Sequence, residues 1–569
     1  MTQFTEYRGI EGINYFDQDR GLQLLLRDWV SETLREEIFA SLQNCAGHVT
    51  DRWFTLAQDG NRPEQLPRIV NFDRVGNRVD AIDFGPHTRQ LRREVAQETG
   101  LFTRTRNDLH HFALIYFLAH NGEASLTCPI SCTDGLIRAI AAKGSEYLKA
   151  TYLEPLCSAH TPFAGAQFVT ERVGGSDVGA IEMEARPNED GTWSLTGDKW
   201  FCSNPDEFFA VAARPTGAPA GTDGVALFMV PRVLPDGTHN RIIYHRLKDK
   251  LGTRSLPTAE LVFDGATGWL IGEAHDGFKT LMHYVLNTSR IHNAVNATGF
   301  LRRAFLEGRN YARQRTAFGQ AIENYPLVQE TLVTLLERVW RYRLLTFKLI
   351  SLVDEHGLSP ADAEQSMWQR FLVNLAKYRT AENLTASIHD ATMLFGGNGI
   401  VEDFTILPRL VRDAMIIETW EGAHNTLCLQ ILRDAARSTL LDRWQVEIQR
   451  VVDLWPTDFL AQTRTRFTAV LAQVKAVLDQ NANRDRQWVA VQARRMVNTL
   501  GSLLEVAWMI ELAVRHQGED ATPAVLAAVA ARDVFASEHH FESLLPETLW
   551  PHVTTLIDET PFQMDVSNI

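Results

Sequence analysis

Two glutamates three residues apart, Glu418 and Glu421, stand in the stretch RDAMIIETWEGAHN (412–425). The neighbouring residues are largely apolar. A carboxylate among apolar side chains has its charged form disfavoured, so its pKa rises towards neutrality and it becomes a competent general base. Trp420 precedes Glu421, and Gly422 follows it, which lets backbone approach closely from one side. Two further stretches carry residue types that suit a ligand. In FVTERVGGSDVGA (168–180) the adjacent Gly174 and Gly175 lead into Ser176 and Asp177, a pattern that offers close backbone approach plus hydroxyl donors and equally describes a capped tight turn. In GDKWFCSN (197–204) Trp200 and Phe201 adjoin Ser203 and Asn204. A flat aromatic beside hydrogen-bonding side chains suits a planar heterocycle, and a core aromatic at a strand end gives the same pattern.

The elements around these stretches fall into four segments. Residues 1 to about 160 read as helical: 21–42 and 89–100 space their apolar positions by three and four, and Gly100 is placed to stop the second helix. Near Pro162 the pattern changes. AIEMEARPNEDGTWSLTG (180–197) alternates Ile181, Met183 and Ala185 before an Asp-Gly turn, a hairpin signal. GVALFMVPR, RIIYHRL and AELVFDG continue as short β runs. Helical spacing returns from residue 276 to about 440, and residues 441–569 are again helical in pattern, interrupted by Pro456. Helices, a β-module and helices again define an α+β protein with its sheet segregated in the middle.

Composition narrows the function classes. At 569 residues the chain exceeds what one core supports. A net charge of −14 argues against a protein built as a whole to coat nucleic acid. The stretch 1–20 has neither a basic nor an apolar leader region, and no run approaches 18 uninterrupted apolar residues, so neither export nor a membrane span is expected and the cytoplasm is the expected location. Six scattered cysteines, CPISC (128–132) included, form neither a disulfide framework nor a zinc ribbon, and no metal site is expected. Rossmann and P-loop fingerprints are absent, so a nucleotide cofactor would be bound some other way.

Taken together, the stretches resemble the acyl-CoA dehydrogenase superfamily. Thr170, Gly174, Gly175, Ser176 and Asp177, followed by KWFCSN, are similar to its flavin- and substrate-facing signature. KLGTRSLPTAELVFDG (250–265), ARQRTAFGQAI (312–322) and LFGGNGIVEDF (394–404) with RDA and WEGAHN match further family motifs in the same order. Within the superfamily, CPIS, LPDGTHN, RLKDKLG, GWLIG, LPRLVRDA and WEGAHNTLCLQILR are most similar to the adaptive-response, AidB-like branch, as is the length with an added helical domain. The resemblance implies an N-terminal helical domain (1–163), a small central β-barrel or sheet domain (164–275), a four-helix bundle carrying the catalytic base (276–440) and a helical C-terminal extension (441–569).

The activity implied is α,β-dehydrogenation of an acyl-CoA thioester with FAD. Glu421 matches the base, and its backbone N–H, with Gly422, matches the region that holds the thioester carbonyl. Glu418 matches no family base and reads as a surface or pocket-rim charge. Val169, Thr170, Gly175, Ser176, Phe201 and Ser203 match residues against the flavin ring. Arg315, Phe318, Gly396, Gly397 and Asn425 match groups that hold its ADP half across a subunit interface. Ser176 and Arg290 match acyl-CoA contacts, and a salt bridge accounts for Arg290 equally well. Met393, Ala317, Ala423 and Pro326 depart from the usual residues on the ADP side. The family also implies a homotetramer and an acceptor such as an electron-transfer flavoprotein.

The AidB-like branch carries a rival expectation, binding of duplex DNA with feeble dehydrogenase activity. Residues 441–569 hold 11 Lys and Arg against 17 Asp and Glu, a net of −6. Phosphate binding needs a basic face, and one run, 464–495, has seven basic residues against two acidic ones.

Overall fold

The computed structural model describes all residues except 1–6, 8, 11, 106, 482–484, 536–543 and 568. It divides into two compact units, one made of Asp51–Asn296 with His356–Ser359, the other of Met1–Thr50, Ala297–Glu355 and Pro360–Ile569.

In the first unit the helices end at Cys157, strands run from Gly165 to Leu270, and helix resumes at Gly277. The strands are β3 (Gly165–Phe168), β4 (Glu184–Pro187), β5 (Trp193–Ser203), β6 (Phe208–Pro215), β7 (Ala226–Pro231), β8 (Ile242–Leu247) and β9 (Thr258–Leu270). β4 and β5 form the expected hairpin, with Glu184 opposite Thr196. β6 pairs with β4, β4 with β5, β5 with β9, β9 with β7 and β7 with β6, so the ring closes into a small barrel; β3 and β8 add to β6 and β9. Closure removes the sheet edges along the ring and leaves β3 and β8 as edge strands. Phe209, Val211 and Ala213 of β6 fill the barrel core, while Ala210 and Ala212 face a second cluster with Leu136, Ile140 and Leu281 of the helices. Burial on both faces is why FFAVAA and ALFMVP read as unbroken apolar runs instead of alternating.

One element departs from the sequence reading. Inside the stretch expected to be helical, Arg68–Phe72 (β1) and Arg78–Asp83 (β2) form an antiparallel hairpin around the Asp73 turn. Its alternation, IVNF and RVDAID, is masked by flanking charge. Gly100 ends the preceding Pro86–Thr99 helix at φ +55°, the left-handed cap its sequence position predicts.

The second unit is helical. The Ala363–Ala381 helix packs beside Leu407–Thr419 and His424–Ala435, and the Ala493–Arg515 helix lies against His424–Ala435 and Leu440–Leu454. Ala493–Arg515 is long and apolar enough to cross a membrane by length and composition, although charged residues interrupt its apolar run. It is a core helix here: most of it is buried, and Glu505 at its middle takes hydrogen bonds from Arg379 (2.8 Å) and Arg341 (2.9 Å). The six cysteines are free, and five of them are buried.

Candidate active site

The residues of the barrel unit are set by one buried ion pair. Lys199 Nζ on β5 lies 2.6 Å from Glu171 and donates to the Val169 carbonyl at 3.2 Å. Burial pushes the Lys199 pKa down, and the Glu171 carboxylate opposes that shift. Glu171 also accepts from the amides of Glu182 and Met183, and Trp200 N–H donates to the Thr170 carbonyl at 2.9 Å. Val169 and Thr170 are thereby fixed relative to Phe201 and Ser203 on the same strand. Gly175 is required by packing: a Cβ there would sit 2.4 Å from Thr170 Oγ1. Ser176 is exposed, and the Phe201 ring is 54% exposed with Lys248 Nζ 4.7 Å from its centroid. Ser203 Oγ lies 3.0 Å from Thr258 Oγ1, which accepts from Lys250 at 2.8 Å.

Asn204 serves the scaffold instead of a ligand. It is fully buried at φ +55°, donates to the Phe163 and Gly165 carbonyls (2.8 and 2.9 Å) and accepts from Arg92 at 2.6 Å. Arg290 is buried in the Asn287–Gln314 helix, next to Ser289, whose Oγ donates to Gln167 of β3 at 3.0 Å. A separate cluster joins residues far apart in sequence. Asp134 Oδ2 lies 2.9 Å from His292 Nε2 and 3.2 Å from His111 Nε2, while Oδ1 accepts from Arg138 at 2.8 Å. These groups could ligate a cation by type, but Arg138 already balances the carboxylate, so the cluster acts as a buried staple among three helices.

In the helical unit, the Leu407–Thr419 helix ends at Trp420, and Glu421 follows at φ +58° and Gly422 at φ +112°. Left-handed backbone at a glutamate costs about 1 kcal/mol or more and persists where the surroundings enforce it. Lys377 Nζ, on the fully buried Lys377, donates to the carbonyls of Glu418 (3.0 Å) and Gly422 (2.9 Å), one at each end of this turn. Glu421 itself is half-buried. Glu418 is more than a rim charge: its Oε1 accepts from Thr385 N–H at 2.9 Å and caps the Leu384–Phe395 helix, whose own Asn383 supplies no side-chain cap. Burial, then the Lys377 charge, hold the His424 pKa below its usual range.

The remaining residues face outward. Tyr311 stacks on Phe395 at 4.1 Å, which sets Arg315 and the Gly396–Gly397 turn at neighbouring helix ends. Gly396 adopts φ +57°, and nothing lies within 4 Å of a Cβ built on either glycine. Phe318, at the tip of the two-residue strands β10 (Thr316–Ala317) and β11 (Gln320–Ala321), is 97% exposed. Arg315 and Asn425 are exposed as well, and among the described residues Arg315 makes no side-chain hydrogen bond or ion pair.

Comparison with known proteins identifies the domains. Residues 275–436 match the acyl-CoA dehydrogenase C-terminal domain, 166–266 its middle domain, and 7–160 the adaptive response protein AidB N-terminal domain. Acyl-CoA dehydrogenase family member 11 of Caenorhabditis elegans is 30% identical over 74% of this chain and 70% of that protein. The putative acyl-CoA dehydrogenase AidB of Escherichia coli is 30% identical over 64% of this chain and 69% of that protein. The structure of Caenorhabditis elegans ACDH-11 in complex with C11-CoA superposes with a TM-score of 0.84 at 25% identity, covering 96% of this chain and 94% of that one.

The chain belongs to the acyl-CoA dehydrogenase family. Its N-terminal domain and relatives place it in the AidB-like branch of these CH–CH oxidoreductases, with FAD as cofactor. The residues present fit FAD: Gly175 leaves Thr170 Oγ1 its room, Phe201 offers an exposed ring, and the Gly396–Gly397 turn is open to an anion.

Proposed function

We propose that the protein is an FAD-dependent acyl-CoA dehydrogenase in which Glu421 removes the α-proton of an acyl-CoA thioester while hydride leaves the β-carbon. FAD, when bound, supplies the hydride acceptor at N5. The observation that carries this reading is the turn itself: a glutamate kept in left-handed backbone, where glycine costs least, and tied at both ends to a buried lysine. In this reading Glu421 Oε takes the proton, and its backbone N–H donates to the thioester carbonyl, stabilising the enolate that forms. Thr170 and Ser203 hydrogen-bond the flavin edge, Phe201 and Val169 pack against its ring, and Ser176 and Arg290 hold the acyl-CoA. Arg315, Phe318, Gly396, Gly397 and Asn425 hold the ADP half for a second copy of the chain, within a homotetramer. The partner for reoxidation would be an electron-transfer flavoprotein or similar acceptor, and the location the cytoplasm.

An anaerobic titration of the FAD-loaded protein with butyryl-, octanoyl- and undecanoyl-CoA tests it. Bleaching of the visible flavin band is expected in the wild type. Glu421→Gln is expected to slow it by about 100-fold or more, the range set by loss of a general base. Equal bleaching in both would remove Glu421 from the mechanism.

The DNA-binding reading has less support from the basic run 464–495. The Arg494 charge is paired with Glu382 at 2.8 Å, and the Arg464 guanidinium donates to the Trp455 carbonyl; Arg484 lies outside the described residues. Salt-sensitive retention on duplex DNA, together with no bleaching by any thioester of the panel, would reverse the preference.

A further inference from the structure

We infer that Lys377 is the positioning residue for the base: its ammonium, bridging the Glu418 and Gly422 carbonyls, holds Glu421 and its backbone N–H in the conformation that proton removal needs. The inference rests on the reading of Glu421 as base. A helix leaves its last carbonyls without intrahelical partners, and a cation is favoured at that end. Glu418 lies in the last turn of Leu407–Thr419, so Lys377 Nζ, at 3.0 Å, fills that need. The same ammonium reaches past Thr419, Trp420 and Glu421 to the Gly422 carbonyl at 2.9 Å. One group therefore fixes both ends of a five-residue turn with Glu421 inside it. A local capping lysine would satisfy the helix end alone. This one comes from another helix, Ala363–Ala381, and is fully buried.

Burying an ammonium is costly unless it is hydrogen-bonded, and the main-chain carbonyls of Glu418 and Gly422 are among its partners here. The arrangement does two things that a neutral side chain would not. It keeps Glu421 at φ +58°, from which an unrestrained glutamate would relax into ordinary backbone. It also sets a fixed positive charge beside the turn, and an opposite charge nearby favours an ionised carboxylate. Position is held from the far side as well. Arg379, two residues along the same helix, binds Glu505 (2.8 and 3.1 Å), Ser502 (3.0 Å) and Asn498 (3.1 Å) of the Ala493–Arg515 helix. The helix bearing Lys377 is thus anchored to the C-terminal extension.

The test separates the proton step from hydride transfer. 3-Thiaoctanoyl-CoA carries sulfur at the β-position; it loses an α-proton but has no hydride to give, and its enolate against oxidised flavin produces a long-wavelength charge-transfer band. Wild type, Glu421→Gln, Lys377→Met, Lys377→Gln and Lys377→Arg are compared for this band across pH, for the rate of reduction by octanoyl-CoA, for FAD content and for acyl-CoA affinity. The expected result is a loss of about 10- to 100-fold in reduction rate for Lys377→Met, the scale of a misplacement near 1 Å. Its band is expected to form only at higher pH, with FAD content and acyl-CoA affinity within about twofold, and Lys377→Arg is expected to recover part of the rate. If Lys377→Met does not fold, Lys377→Gln, which keeps one short donor, carries the same readouts. A wild-type rate and band in Lys377→Met or Lys377→Gln, with Glu421→Gln inactive, overturns the inference and leaves the base standing. Activity in Glu421→Gln removes the base reading itself, and the inference with it. Parallel loss of FAD or acyl-CoA binding in the Lys377 variants overturns the inference in favour of a purely structural lysine.

Discussion

At the scale of single residues, Glu418 and Glu421, three positions apart, sit in different backbone settings. Glu418 sits inside the last helical turn and reaches the amide of Thr385, a structural contact at 2.9 Å. Glu421 lies beyond the helix, in backbone that no propensity favours. Gly175 gives a sharper prediction about the cofactor. Gly175→Ala places a methyl 2.4 Å from Thr170 Oγ1 and must displace it. We expect FAD affinity to fall by about tenfold, equivalent to about 1.4 kcal/mol, read as the ratio of flavin to protein absorbance during dilution. Asn204 was grouped by its motif with the flavin-edge residues, and the structure spends its amide on Phe163, Gly165 and Arg92 instead. Asn204→Ala strands those buried partners, and a loss of about 2–4 kcal/mol in unfolding free energy is expected by denaturant titration. Nothing in KWFCSN distinguishes Asn204 from Ser203, because the difference is that Ser203 ends β5 and Asn204 turns away from it at φ +55°.

At the scale of elements, the C-terminal extension is tied to the first helix by a titrating contact. His516 lies 3.4 Å from Asp28, which also accepts from Arg515 at 2.8 Å. The hydrogen bond to Asp28 raises the His516 pKa above its usual 6.5. A raised folded-state pKa means that the contribution is fully present below pH 6.5 and is lost as pH climbs through the higher folded value. Thermal unfolding at pH 6 and at pH 8.5 should therefore show a wild-type advantage over His516→Gln that shrinks at the higher pH. A difference that grows with pH would show that the pair is not protonated as argued. The β1–β2 hairpin belongs to this scale too. Its strands are short and half-exposed, so the alternation that marks them is diluted by Arg, Asn and Asp.

At the scale of the whole molecule, exposed apolar side chains and the C-terminal extension bear on assembly and stability. Phe318, Leu327, Met393 and Ile400 are large apolar side chains left exposed by this chain, near the residues assigned to the ADP half. Exposed apolar residues of this size suit an interface more than a solvated face. Phe318→Asp is expected to lower the mass measured by light scattering and to release FAD together with it. An unchanged mass would separate Phe318 from assembly. The extension is integral to the helical unit, because Arg341 and Arg379 meet Glu505 in its buried interior. A chain ending at residue 440 leaves these guanidinium groups without their carboxylate and uncovers the apolar Ala493–Arg515 packing face, so a large loss of soluble yield is expected.

The sequence by itself determined the order of helical and β segments apart from the β1–β2 hairpin, the barrel hairpin at 184–203, the family, and the identity of Glu421 as the residue to test. Those features are written in local spacing and in ordered motifs, which need no knowledge of distant neighbours. Tertiary structure alone decided the surroundings of Lys377, Asn204, Glu418 and the cluster around Asp134. Each depends on partners tens to hundreds of residues away, such as Lys377 with Gly422 or Asp134 with His292. A buried lysine reads in sequence like any surface lysine. Only the fold shows that its ammonium has left water for two carbonyls, and what the turn between them carries.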